Sequence, residues 1–175
     1  MTGSLVLLTG ASGVGKTTIA SEIEKLHPEI VVFRSDALIG VPTAEEMTAR
    51  YGAGPEAGSA WQREVTQQWL DRIVPILASG QSVLLDLQTR IAFLLEAIAA
   101  HDISHARIIL VECDDETRNS RLIHDRKQPE LANENMAGWA RYLHQEALAA
   151  ECEIIDTGAL SIDEGVERIV SYLLL

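Results

Sequence analysis

Short, nearly continuous apolar runs alternate along this chain with stretches in which apolar residues recur every three or four positions. The runs Ser4–Thr9, Ile30–Arg34, Ser82–Leu87, Ala106–Glu112 and Cys152–Asp156 read as strands buried on both faces, because they lack the polar alternation of a half-solvated strand. The stretches Lys16–His27, Thr43–Tyr51, Ser59–Leu77, Ile91–His101, Asp115–Asp125, Asn133–Ala150 and Ile162–Leu173 read as helices. Regular strand–helix alternation calls for right-handed crossovers, so the pattern predicts an α/β sandwich with a parallel sheet covered on both sides.

Local signals sharpen several boundaries. Thr43-x-x-Glu46 and Ser161-x-x-Glu164 are capping-box patterns that satisfy free N–H groups at a helix start. Trp61, Val65, Trp69, Ile73 and Ile76 fall at helical spacing, as do Met136, Trp139, Leu143 and Ala147; both stripes are read as core rather than as stacking surfaces. Pro75 should kink its helix or end it beforehand. Gly40–Ser59 is dense in glycine and proline around a short helix and follows the second strand, where open α/β sheets bind ligands; it is read as a cap over an acceptor site.

Composition narrows the setting. The 175 residues suffice for one core and are expected to form one domain over 1–175, with the cap at about 37–80 and a lid at about 114–135. A net charge of −12 disfavours attraction to nucleic acid or to anionic membrane, so any anion-binding charge must be local. With no apolar stretch long enough to span a bilayer and no basic leader, the expected location is cytoplasmic. Cys113 and Cys152 lack metal-ligand spacing and are read as reduced thiols at opposite sheet edges. His101 and His105 are four apart, but Asp102–Ser104 reads as a helix exit, which argues against a metal pair.

The richest chemistry lies at Gly10-Ala11-Ser12-Gly13-Val14-Gly15-Lys16-Thr17, which fits Gly-x-x-x-x-Gly-Lys-Ser/Thr between a predicted strand and a predicted helix. There the loop amides turn inward around a polyphosphate at the positive end of the helix that Thr18 continues. Lys16 would reach the β- and γ-phosphates and Thr17 would hold Mg²⁺.

With this loop in place, the chain resembles the small P-loop kinases, which include adenylate, shikimate and gluconate kinases, chloramphenicol phosphotransferase and the kinase domain of polynucleotide kinases. The resemblance implies a five-stranded parallel sheet in the order 2-3-1-4-5, substrate binding after the second strand and an arginine-bearing lid after the fourth. It also implies ATP and Mg²⁺ as cofactors and a small-molecule hydroxyl as phosphoryl acceptor. Phe33-Arg34-Ser35-Asp36 resembles the strand end whose acid orients or deprotonates that hydroxyl, which makes Asp36 the candidate base. Val83-Leu84-Leu85-Asp86 looks like the Walker B layout, with Asp86 supporting Mg²⁺. Gln88 and Arg90 follow closely and are placed with Arg50 as acceptor-binding candidates.

Thr117–Pro129 gathers Arg118, Arg121, Arg126 and Lys127, four of the chain's fourteen basic residues. In the resemblance, lid arginines pack beside adenine or contact the transferring phosphate, so Arg118 and Arg121 are assigned to the nucleotide and Arg126 to catalysis. Asp156 and Thr157 resemble the loop bordering adenine. The lid is too short for the extended domain of long adenylate kinases, and no nucleoside-monophosphate signature follows the second strand. No guanine-reading Asn-Lys-x-Asp occurs, which argues against a GTP switch. A non-catalytic nucleotide-binding regulator and a polynucleotide 5′-hydroxyl kinase remain as alternatives. Arg34, Arg50, Arg63 and Arg90 suit an anionic acceptor, whereas Tyr51, Trp61 and Trp69 suit an aromatic one.

Overall fold

The computed structural model describes residues 2–35, 42–54 and 56–174. Asp36, the candidate base, lies outside the described residues, as does part of the expected cap including Gly40 and Pro55. In chain order the elements are β1 (Leu5–Thr9), α1 (Lys16–Leu26), β2 (Val31–Arg34), α2 (Ala44–Tyr51), α3 (Glu56–Ala78), β3 (Val83–Asp86), α4 (Ile91–Ala100), β4 (Ala106–Glu112) and α5 (Asp115–Ser120). A single π turn (Arg121–Asp125) and a 3₁₀ turn (Pro129–Leu131) lead into α6 (Glu134–Ala149), β5 (Glu153–Asp156) and α7 (Ile162–Leu173).

The five strands pair in parallel in the order β2-β3-β1-β4-β5, the P-loop NTPase arrangement expected from the resemblance. β1 lies at the centre, with Leu5 opposite Val83 on one side and Ala106 on the other. Its residues show why the run has no polar alternation. Leu5 and Leu7 join one core layer with Trp69, Ile73, Leu94 and Leu143 from α3, α4 and α6. Val6 and Leu8 face the opposite layer, with Ile19, Ile23, Ile169 and Leu173 from α1 and α7. Burial on both faces requires an apolar residue at every position of the strand.

Both capping boxes form, Thr43 with Glu46 and Ser161 with Glu164. The α3 stripe is core at Trp69 and Ile73, which are fully buried, and partly buried at Trp61, Val65 and Ile76. One boundary needs correction there. Helix α3 starts at Glu56 rather than Ser59; of the two outcomes allowed at Pro75 it does not end beforehand, and it runs to Ala78, one residue past the expected Leu77. Pro75 sits on the exposed side of the helix while Ile73 and Leu77 beside it are buried, so packing on the sheet holds the last turn despite the missing N–H. The predicted helix over Asp115–Asp125 is α-helical only as far as Ser120. Both cysteines are free thiols.

His101 ties α4 to α3. Its Nδ1 lies 2.8 Å from the Ala97 carbonyl and its Nε2 lies 2.9 Å from the Asp71 carboxylate, so both ring nitrogens face acceptors. Burial opposes the imidazolium, but the bonds to Asp71 and Ala97 outweigh it and raise the pKa above 6.5. A raised folded pKa contributes stability that is fully present below the unfolded value of about 6.5 and is lost as pH rises through the folded one. Urea titrations from acid to alkaline pH across that window should show wild-type stability declining relative to His101→Gln; parallel curves would contradict this.

Candidate active site

The loop between β1 and α1 is held from below. Gly10 approaches β4 so closely that a Cβ there would stand 2.2 Å from the Val111 carbonyl oxygen. Gly13 has φ 86° and packs against the lid segment, where an added Cβ would lie 2.8 Å from Leu122 Cγ and 3.1 Å from both Arg118 Cγ and the Arg118 carbonyl. Thr157, just beyond β5, donates its hydroxyl to the Val14 carbonyl at 2.7 Å. Arg121 donates to Thr157 Oγ1 at 2.8 Å and to the Thr157 carbonyl at 2.9 Å. Loop, lid and β5 are thereby fastened together.

Lys16 is buried and its Nζ donates to the carbonyls of Gly10 at 2.8 Å and Ala11 at 3.1 Å. Thr17 Oγ1 donates to the buried carboxylate of Asp86 at 2.8 Å. These two side chains come from the start of α1 and the end of β3, brought together by the β1–β3 pairing that sets Leu8 opposite Asp86. On the adjacent loop Ser12 donates to Gln88 Oε1 at 3.1 Å.

A cavity of about 570 Å³ opens over this loop, lined by Gly13, Gly15, Lys16, Thr17 and Thr18, by Arg121, Asp125 and Arg126 from the lid, and by Thr157, Leu160, Ser161 and Ile162 after β5. Three cations thus face one concave space in a chain of net charge −12. The arrangement fits Mg·ATP on two counts. The cations and the start of α1 suit phosphate oxygens, and the hydroxyl–carboxylate pair of Thr17 and Asp86 offers the hard oxygen donors that Mg²⁺ takes.

Other sequence-predicted residues occupy different surroundings. Arg118 does not line the cavity: it is fully buried, its stem lies under Gly13, and its Nη1 donates to Asp115 at 2.6 Å. The expected nucleotide contact of Arg118 is replaced by a supporting position, because its stem fills the space that Gly13 leaves without a Cβ. Asp156 is exposed and accepts from the Gly158 amide at 2.8 Å, closing a turn, while its neighbour Thr157 reaches the cavity. Arg50 is paired with Glu64 on α3. Arg34 is paired with Glu24 at 2.8 Å and Arg63 with Glu96 at 2.7 Å. Arg90 differs from these three. Its guanidinium lies 5.5 Å from the Phe93 ring centre and 5.4 Å from that of Tyr142, and among the described residues it has no carboxylate partner. Sequence reasoning missed Asp125, Leu160, Ser161 and Ile162 as cavity residues; the capping box at Ser161 marks the helix start that brings the last two there.

A family model described as AAA domain matches residues 6–140. The chain belongs to that AAA domain family. This AAA domain protein is similar over nearly its full length to several solved structures. Shikimate kinase from Acinetobacter baumannii in complex with shikimate is 20% identical, covering 98% of this chain and 93% of its own, with a TM-score of 0.58. A gluconokinase from Sinorhizobium meliloti 1021 is 18% identical, covering 98% and 91%, with a TM-score of 0.64. A sugar kinase from Janibacter sp. HTCC2649 is 17% identical, covering 98% and 94%, with a TM-score of 0.60. At these identities the likeness is one of fold. Among curated proteins no match is found. No helix among the described residues is long and apolar enough to cross a membrane.

The positions of Arg118 and Thr157 separate support from contact. Arg118→Met, which keeps the buried stem, should leave Mg·ATP affinity by calorimetry within about twofold of wild type. Thr157→Val, which removes the hydroxyl's bonds to Arg121 and Val14 but keeps the carbonyl that accepts from Arg121, should weaken it by about tenfold, as expected for the loss of a charge-assisted bond.

Proposed function

We propose that this protein is an ATP- and Mg²⁺-dependent kinase that transfers a γ-phosphoryl group to a hydroxyl of a small-molecule acceptor. The observation that carries the reading is the convergence of Lys16, Arg121 and Arg126 on one cavity above the glycine loop, with the Thr17–Asp86 pair at its side. When bound, Mg·ATP supplies the transferable group and the cation that neutralises its charge. The residues of the chain position and stabilise. The amides of Gly10 to Thr18 and the Lys16 ammonium hold the phosphates. Thr17 and Asp86 hold the cation, and Thr157 with Leu160, Ser161 and Ile162 borders the base.

Phosphoryl transfer depends mostly on alignment and on charge stabilisation. Arg126 and Arg121 offer planar donors to the oxygens on which charge gathers. Asp36 orients the acceptor hydroxyl and takes its proton, so that the O–P bond forms as the bond to the departing ADP breaks. On the acceptor side, Gln88 and Arg90 follow β3, and Arg50 stands in the cap. Arg90, which has no carboxylate partner among the described residues, favours an acceptor carrying an anionic group over a neutral aromatic one. The net charge of −12 weighs against a polynucleotide end as acceptor.

Lys16→Ala should abolish turnover and weaken Mg·ATP binding, whereas Asp36→Asn should lower turnover by about a hundredfold or more and leave ATP affinity unchanged. Labelled ATP offered with panels of hydroxy acids, neutral sugars and oligonucleotide ends measures both. Binding without transfer to any acceptor would instead make the protein a nucleotide-binding regulator, and equal loss of ATP affinity in both variants would remove Asp36 from the acceptor role.

A further inference from the structure

The lid does not continue as an α-helix beyond Ser120. The Arg126 amide donates to the Arg121 carbonyl at 3.0 Å, five residues back, which makes Arg121–Asp125 one turn of π-helix. Such turns are rare and concentrate at functional sites. This one ends at once: Lys127 takes φ 55°, and the Gln128 amide returns to the Leu122 carbonyl at 2.9 Å.

The start of the turn is fixed. Leu122 is fully buried and packs against Gly13, and Arg121 is bonded to Thr157. On an α-helix of 3.6 residues per turn, a residue four positions on lies about 40° around the axis, and one five positions on lies about 140° around. An α-helical continuation would therefore stack Asp125 over Arg121 and turn Arg126 away. The π turn absorbs one residue, and Arg126 lines the cavity together with Arg121. Asp125 borders the same cavity, so the wider turn sets a guanidinium beside this carboxylate on the Arg121 face, where an α turn would leave the carboxylate alone.

We propose that the π turn Arg121–Asp125 is a register device that brings Arg126 onto the face of Arg121, beside Asp125, and presents it to the terminal phosphate of the bound nucleotide. The inference rests on the kinase reading only in taking that phosphate as the partner of Arg126. Composition cannot stand in for geometry here: the same two residues in reversed order would put a carboxylate where the guanidinium belongs.

Calorimetric affinities for Mg·ATP and Mg·ADP test this on the full chain, because only ATP carries the terminal phosphate. The double substitution Asp125→Arg with Arg126→Asp should cut the preference for ATP over ADP by about tenfold or more, matching Arg126→Ala and leaving ADP affinity unchanged. Deleting His124, which is exposed, brings the arginine to four residues after Arg121, where an α turn suffices; the preference should stay within about threefold of wild type. The proposal is overturned if the reversed pair keeps the wild-type preference, or if a deletion variant that melts like the wild type loses it; if the deletion does not fold, the reversed pair alone decides. A wild-type chain that binds neither nucleotide overturns the kinase reading and this inference with it, whereas nucleotide binding with no loss in the reversed pair overturns this inference alone.

Discussion

The contact between Gly13 and the lid segment constrains the whole site. A loop that wraps phosphate must keep its amides free of secondary structure, and such backbone is costly unless something else holds it. Here the holding comes from a neighbouring element: the stem of Arg118 and the side chain of Leu122 fill the space under Gly13 that a Cβ would take. The Val14–Thr157–Arg121 bonds add a second fastening from β5. Loop and lid are therefore positioned by one another, which sets the cations of the two at fixed places relative to each other.

The sheet supplies the frame for that fastening. Pairing of β1 with both β3 and β4 brings the loop after β1 beside Asp86 on one side and beside the chain leading to α5 on the other. Two-sided burial fixes the register, since a slip of one residue would exchange the faces of Leu5 and Leu7 with those of Val6 and Leu8. The chemistry at the strand ends thus inherits its precision from apolar packing lower down.

Much of this was legible in the sequence. Unbroken apolar runs mark the five strands because a sheet covered on both faces admits nothing else, and the glycine loop is visible through its spacing and flanks. The pairing of Thr17 with Asp86 follows from the strand order that the resemblance implied. What stayed hidden depends on three-dimensional neighbours. Arg118 looks like any other lid arginine until Gly13 is seen above it. Arg50 and Arg63 look available until Glu64 and Glu96 are placed beside them. Pro75 suggests a kink or an end because its local cost is apparent and the burial of Ile73 and Leu77 is not. The π turn leaves no trace in residue spacing: its first two residues are anchored on Thr157 and Gly13, and no helix-breaking residue lies within it.

Lys16 illustrates how such a site keeps a buried cation at rest. Its ammonium is satisfied by the carbonyls of Gly10 and Ala11, oxygens belonging to the very loop that it serves. An incoming anion therefore exchanges one set of oxygen partners for another instead of creating bonds from nothing, and the net gain is much smaller than the gross strength of the new contacts. A lysine partnered by its own loop gains little net energy from that exchange, which leaves more of the discrimination among anions to the arginines that line the cavity.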